Sequence, residues 1–118
     1  MPDASTTRLQ AIEELCALGQ PYELKFTQIM GKNQRIFVNA PNTLRDLYLE
    51  TKSDLDYLVF EGERFTFDHV YHLASAFATA MVEHYGIKPG DRVAISMRNY
   101  PEWVIAFFAT TSIGAIAV

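Results

Sequence analysis

The sequence predicts an α/β fold, the start of a layered domain in which a parallel sheet carries helices on both faces. Three observations point there. Residues Gly86 to Val118, GIKPGDRVAISMRNYPEWVIAFFATTSIGAIAV, hold a helix stop, an apolar strand, a polar corner and an apolar helix in direct succession. Helix, strand, helix, strand in that order favours parallel pairing through crossover helices. The last run, Gly114-Ala-Ile-Ala-Val118, is apolar with no stop signal, as a fully buried parallel strand would be. The domain is therefore expected to be truncated mid-element, with further polypeptide enclosing it.

At 118 residues, with 49% apolar and 13% aromatic content, the chain holds enough for the core of about one small domain. Charged residues make up 20%, both signs are interspersed and the net charge is −4, so the basic stripe of a nucleic-acid binder is missing. Cys16 is the only cysteine, which excludes an internal disulfide and a thiolate metal cluster. The N-terminal MPDASTTRLQ has no apolar export core, and together these features predict a reducing cytoplasm. Trp103 to Val118 carries no charge, yet Thr110, Thr111, Ser112 and Gly114 interrupt it. It also falls short of the about 20 residues of a membrane span. A peripheral membrane contact through this apolar end stays open.

Two regions are expected. Residues 1–41 read as an N-terminal helix followed by an irregular extended arm, and residues 42–118 as the first α/β portion of a larger domain. Residues 1–8 look frayed, with Ser5, Thr6 or Thr7 as the cap of a helix that runs to Gly19. Leu9, Ile12, Leu15, Cys16 and Ala17 recur near helical spacing along it. Gln20 to Pro41 alternates weakly at Tyr22, Leu24 and Phe26 and again at Ile36 and Val38. Gly31 to Arg35 reads as the turn between them.

Asn42 or Thr43 then caps a second helix with Leu44, Leu47 and Tyr48 on one face. Tyr57–Phe60 and Arg64–Thr66 form a hairpin about Gly62, which can take a positive φ. Thr66 caps the third helix, Asp68 suits its positive end, and Phe65 with Val70 makes a hydrophobic staple. Val70, Leu73, Ala74, Phe77, Ala78 and Met81 share one stripe. Asp68, His72, Ser75, Thr79 and Glu83 lie opposite, so this helix covers a sheet on one side only. Gly86 ends it and Pro89-Gly90 prevents its resumption. Arg92–Met97 reads as a strand, and because Ala94 and Ser96 are small, cover is expected on both faces. Pro101 suits the first turn of the next helix, which is apolar all round and therefore buried.

Gly86-Ile-Lys-Pro-Gly-Asp-Arg-Val93, then Met97-Arg-Asn-Tyr-Pro-Glu-Trp103, then Gly114-Ala115, resembles the amino-terminal region of the acyl-adenylate-forming (AMP-binding) enzymes. That superfamily includes acyl-CoA synthetases, luciferases and adenylation domains of nonribosomal peptide synthesis. Arg64-Phe-Thr-Phe67 is similar to its strand-to-helix passage, and Ala40-Pro-Asn-Thr-Leu-Arg-Asp-Leu47 and the Met97 to Trp103 corner resemble bacterial fatty-acyl-CoA ligases in particular. The likeness is good over about residues 40–118 and loose before. His69 stands where the family often has Glu, so no capping box is expected there.

The resemblance implies an intact parent that uses ATP, Mg²⁺ and CoA, and whose partners are a carboxylic acid and the remainder of its own polypeptide. The acid would attack the α-phosphorus of ATP to give acyl-AMP and pyrophosphate, and the CoA thiolate would then displace AMP. It also implies that the family's phosphate loop, ribose-binding Asp and adenylation Lys lie outside these residues. The six glycines, at 19, 31, 62, 86, 90 and 114, form no cluster that could cradle a phosphate. No catalytic, cofactor-binding or metal residue is therefore assigned, and the stretch reads as scaffold.

The candidates each have a plainer explanation. His69 and His72 are three apart on a helix, but His84 is three turns on and no cysteine joins them, so a solvated face is the better reading. Arg98 and Asn99 follow the carboxyl end of a strand, where open α/β sheets place ligands. Alternatively Asn99 caps the next helix and Arg98 pairs with a carboxylate. Trp103, Phe107 and Phe108 could line an acyl tunnel or simply be core. Asp91-Arg92 reads as a turn-to-strand pair and Cys16 as an ordinary thiol. Gly90-Asp-Arg-Val93 also occurs in zinc-dependent alcohol dehydrogenases, where the strand leads to cysteine and histidine ligands that this chain lacks. A small non-enzymatic interaction or membrane-surface module is the remaining alternative. The scaffold reading predicts an apolar flank left bare at Ile116–Val118.

Overall fold

The computed structural model describes residues 6–118, which fall into two compact units, one ending at Pro41 and the other spanning Asn42–Val118. In the first, α1 (Arg8–Leu15) starts from a reciprocal cap. The Thr7 hydroxyl accepts from the Gln10 amide, and the Gln10 side-chain oxygen accepts from the Thr7 amide at 2.9 Å. Ser5 lies outside the described residues. The helix stops at Leu15, short of the predicted Gly19, and none of its residues is buried. Gly19 instead turns the chain toward the following strand, its N–H donating to Glu23 Oε2 at 2.7 Å.

The predicted irregular arm is a regular hairpin. β1 (Leu24–Ile29) pairs antiparallel with β2 (Lys32–Phe37), one residue to one, from Leu24 opposite Phe37 to Ile29 opposite Lys32. Met30 (φ 50°) and Gly31 (φ 75°) make the two-residue turn, and positive φ at both matches the right-handed twist of the strands. The error came from Lys32-Asn-Gln-Arg35, whose polarity imitates a loop. A ribbon exposed on both faces needs no apolar alternation to pair.

In the second unit α2 (Leu44–Glu50) carries a full capping box, Thr43 with Asp46, and buries only Tyr48. Leu44 and Leu47, predicted on the same inner face, remain exposed. β3 (Asp56–Phe60) and β4 (Glu63–Thr66) form an antiparallel hairpin turned by Glu61 and Gly62, both at positive φ. Arg64 and Asp56 form an exposed ion pair on it, a contribution of well under 1 kcal/mol.

α3 (Phe67–Tyr85) follows the sequence closely at both ends. The Thr66 hydroxyl accepts from the His69 amide at 3.0 Å, and Gly86 closes the helix in the left-handed region at φ 66°. No reciprocal bond from position 69 forms; the His69 ring stacks on Phe65 instead, centroids 5.5 Å apart. Val70, Ala74, Ala78 and Met81 are buried, while Phe77 at the edge of the stripe stays 42% exposed.

α4 (Pro101–Ser112) packs on α3, and alanines make the contact close. Ala74, Ala78, Met81 and Ala109 form the core, with Ile87, Val93, Ile105, Phe108 and Ile113 packed around it. α4 is the crossover between two parallel strands, β5 (Arg92–Val93) and β6 (Ile116–Ala117), the parallel βαβ order expected of an α/β fold. Backbone bonds from Ile116 to Asp91, Val118 to Val93 and Ile95 to Val118 hold the pair at 2.8–3.0 Å. The ladder is shorter than the predicted Arg92–Met97, with β5 spanning only Arg92–Val93. Val93 and Ile95 are half-buried, whereas Ala94 and Ser96, expected to be covered, are exposed. Ile116 and Val118 are 46% and 69% exposed, the bare apolar flank expected there.

Gly114 sits where α4 turns into β6. Its φ is +76°, and a Cβ there would lie 3.3 Å from the Pro89 Cβ. The Gly90 amide donates to the Gly114 carbonyl at 2.8 Å, so these two turns lock together and set the register of β6.

Candidate functional site

The corner Arg98–Glu102, at the carboxyl end of the β5 segment, is where an open α/β sheet would present ligand-binding groups. Pro101 fixes its geometry. The residue before a proline is held extended, and Tyr100 (φ −98°, ψ 162°) accordingly flanks the helix without any side-chain cap. The cap reading of Asn99 is thereby corrected, since Asn99 stands one residue too early. Among the described residues Arg98 lies within ion-pair distance of no carboxylate. Asn99, Tyr100, Pro101 and Trp103 line a recess of about 320 Å³ together with Leu58 and Phe60. The Phe60 and Tyr100 rings meet edge to face at 5.3 Å.

On the other side of the corner a groove of about 580 Å³ runs along Val93–Met97, floored by Phe77, Ile105 and Ala106. Glu102 is the only charged side chain lining it. Behind it the Thr110 hydroxyl is fully buried and has no hydrogen-bond partner among the described residues.

The aromatic residues of α4 are taken up in stacks. Phe108 lies flat on Tyr48, with centroids 3.6 Å apart and planes 10° apart, and Tyr57 joins it at 5.9 Å. Tyr57 in turn stacks on Phe67 at 4.3 Å. The Tyr48 hydroxyl is 3.0 Å from Thr111 Oγ1, which also donates to the Phe107 carbonyl. Trp103 and Phe107 stack at 5.3 Å, both half-buried. Phe108 is thus a structural residue; Trp103 faces the smaller recess.

Burial, and after it the neighbouring Tyr48 phenol, pushes the Tyr57 hydroxyl above the ordinary tyrosine value. The folded state therefore holds the Tyr57 proton more tightly than the unfolded chain does. Its contribution to stability is complete below about pH 10 and disappears as the pH rises through the folded-state value. Urea unfolding between pH 8 and 11 is expected to show a steeper alkaline loss in the wild type than in Tyr57→Phe.

Among the described residues no three His, Cys, Asp or Glu side chains come together as a metal site. His72 Nδ1 lies 2.9 Å from the Asp68 carbonyl and 3.2 Å from Asp68 Oδ2, a contact within α3 itself. Asp68 also holds Lys52 at 3.3 Å. His84 is exposed in the last turn of α3. Asp91 closes its own turn, Oδ2 accepting from the Lys88 amide at 2.8 Å. Cys16 is half-buried at the end of α1.

The two longer helices open on Asp68 and Glu102, so an acid occupies each positive end. Gly114 is packed against Pro89, and its carbonyl accepts from the Gly90 amide. No helix is long and apolar enough to cross a membrane among the described residues. Sequence reasoning missed the two grooves, whose walls come from segments far apart along the chain, and only the corner's position after a strand hinted at them.

Comparison with known proteins agrees with the series of motifs. The profile of the AMP-binding enzyme family matches residues 48–118. A 2-succinylbenzoate–CoA ligase of Bacillus velezensis is 39% identical over 61 residues, covering 52% of this chain and 12% of that enzyme. An acetoacetyl-coenzyme A synthetase of Rhizobium meliloti is 37% identical over 87 residues, 70% of this chain and 13% of that protein. Among solved structures, NpsA-ThdA, an artificially fused adenylation–PCP di-domain from Klebsiella oxytoca, superposes with a TM-score of 0.60. It is 29% identical and the match covers 64% of this chain and 15% of that one. The anthranilate CoA ligase AuaEII in complex with anthranoyl-AMP gives a TM-score of 0.59 at 24% identity, over the same 64% and 15%, a likeness of fold. The chain thus spans about an eighth of the curated relatives' length, 12% and 13% for the two above. With its motif series, its parallel strand pair and its match over most of the second unit all in agreement, the chain belongs to the AMP-binding enzyme family.

Proposed function

We propose that this chain is scaffold from the amino-terminal part of an ATP-dependent acid–CoA ligase acting on a fatty acid in the cytoplasm. The observation that carries the ligase reading is the family match over residues 48–118, supported by relatives named as CoA ligases and CoA synthetases. The fatty-acid assignment rests on the likeness of Ala40–Leu47 and Met97–Trp103 to fatty-acyl-CoA ligases. The parent would consume ATP with Mg²⁺, release pyrophosphate, and exchange AMP for CoA on the activated acid. The residues here supply no group for those steps. They supply a rigid α3/α4 core, a strand pair and a corner beside which reactive segments can be hung. The open edge and groove beside Ala94 and Ser96 fit a role in which more of the polypeptide packs against them.

Two measurements test this. The complete gene product is expected to release pyrophosphate from ATP only when a fatty acid is supplied, and to form the CoA thioester when CoA follows. The 118-residue chain is expected to show no ATP binding by calorimetry at micromolar to millimolar nucleotide. Pyrophosphate release without acid dependence would overturn the first statement, and micromolar ATP binding by the short chain the second.

A further inference from the structure

The β1–β2 hairpin has an unusual tip. Two-residue turns with positive φ at both positions are ordinarily built from Asn, Asp or Gly, because a side chain with a bulky Cβ substituent is strained there. Here the first position is Met30, at φ 50°, and it is 98% exposed. A long apolar side chain is thus held in a costly conformation with almost none of its surface covered by the described residues. Around it Ile29 is 48% exposed, Phe26 78% and Phe37 51%. Phe26 and Phe37 share one face of the ribbon, by the one-to-one register.

The charge on the hairpin runs against that of the chain. The whole sequence carries −4, yet Leu24–Phe37 contains Lys25, Lys32 and Arg35 and no acid. Lys32 stands directly after the turn, opposite Ile29, and Arg35 stands opposite Phe26. Met30 and Ile29 form an apolar tip with Lys32 beside it, and Arg35 and Lys25 lie farther back along the ribbon, opposite Phe26 and Ile36. An apolar tip on a basic ribbon matches an anionic bilayer surface. Met30 and Ile29 enter the boundary between headgroups and acyl chains while the cations along the ribbon are drawn to the phosphates. A protein groove would satisfy the apolar residues equally well, but it would leave three like charges to be matched one by one.

We propose that the β1–β2 hairpin is a membrane-surface contact, with Met30 as its inserted tip and Lys25, Lys32 and Arg35 pairing with anionic lipid headgroups. This site is independent of the ligase reading and stands or falls apart from it. Vesicle sedimentation of the purified protein tests it, using phosphatidylcholine vesicles with and without about one quarter phosphatidylglycerol. Binding is expected to the anionic vesicles, falling at least fivefold on neutral ones and again in 0.5 M salt, since each cation near the surface contributes about fivefold.

Met30→Asn supplies the decisive variant. Asparagine is the ordinary residue for this turn, so the hairpin is expected to keep or gain thermal stability while vesicle binding drops at least fivefold. Lys25→Gln with Lys32→Gln is expected to lower binding to anionic vesicles only. No binding to either vesicle, equal binding to both, or Met30→Asn binding as the wild type does would each overturn the proposal. Loss of binding by Met30→Asn together with loss of its melting transition would call for Met30→Gly, whose unchanged binding would overturn it too.

Discussion

Replacing Tyr48 by alanine is expected to destabilise the Asn42–Val118 unit by about 3–5 kcal/mol, the range for removing a large aromatic side chain from a packed site. Tyr48 is 5% exposed and the only buried residue of α2. Its ring lies on Phe108 and its hydroxyl reaches Thr111, so one side chain ties α2 to α4 through both a stack and a hydrogen bond. Tyr48→Phe separates the two. It keeps the stack, and the loss should be about 1 kcal/mol, the net worth of one such bond. Urea unfolding of wild type and both variants gives the comparison. Equal losses for the two would mean the hydroxyl, not the stack, holds α2 in place.

The second large effect is expected at Met81. It is 4% exposed in the α3/α4 core, and truncation to alanine should cost about 2–5 kcal/mol, part transfer and part cavity. The other buried residues of that core, Ala74, Ala78 and Ala109, have no rotamers with which to fill the space. The loss should therefore fall in the upper half of that range. Met81→Leu, similar in volume, should cost less than about 1.5 kcal/mol. Thermal melting resolves both. A small loss for Met81→Ala would show that α3 and α4 can slide together, against the close packing seen here.

The legible parts of the fold are those whose signals are local. The span of α3 could be read because a capping threonine, a stripe at helical spacing and a left-handed glycine all lie within one segment, although the helix packs mainly on α4 rather than on a sheet. The β3–β4 hairpin was legible for the same reason, with Gly62 marking its turn. The β1–β2 hairpin was not, because the Lys32-Asn-Gln-Arg35 start of β2 is polar and the turn starts on a methionine. Nothing local distinguishes an exposed ribbon from a loop. The inner face of α2 was half legible: helical spacing nominated Leu44, Leu47 and Tyr48 together, but one partner helix covers only Tyr48.

The candidate site shows the same division. Its place after a strand could be read, and so could the proline that opens α4. The grooves could not, because their walls join Phe60 to Trp103 and Phe77 to Met97 across the fold. Asn99 was misassigned by a single position, and the rule that a proline holds its predecessor extended was sufficient to correct it. The family came from the order of short segments, each common by itself.

The Gly114–Pro89 contact restricts what substitutions this region can accept. At position 114 the backbone angle disfavours most side chains, and an atom on Cα would crowd Pro89 Cβ at 3.3 Å, so Pro89 would have to give way. Shrinking position 89 would lift only one of these barriers, so no single compensating change frees the site. Homologous sequences that keep this strand pair should then vary at the other five glycines before they vary here.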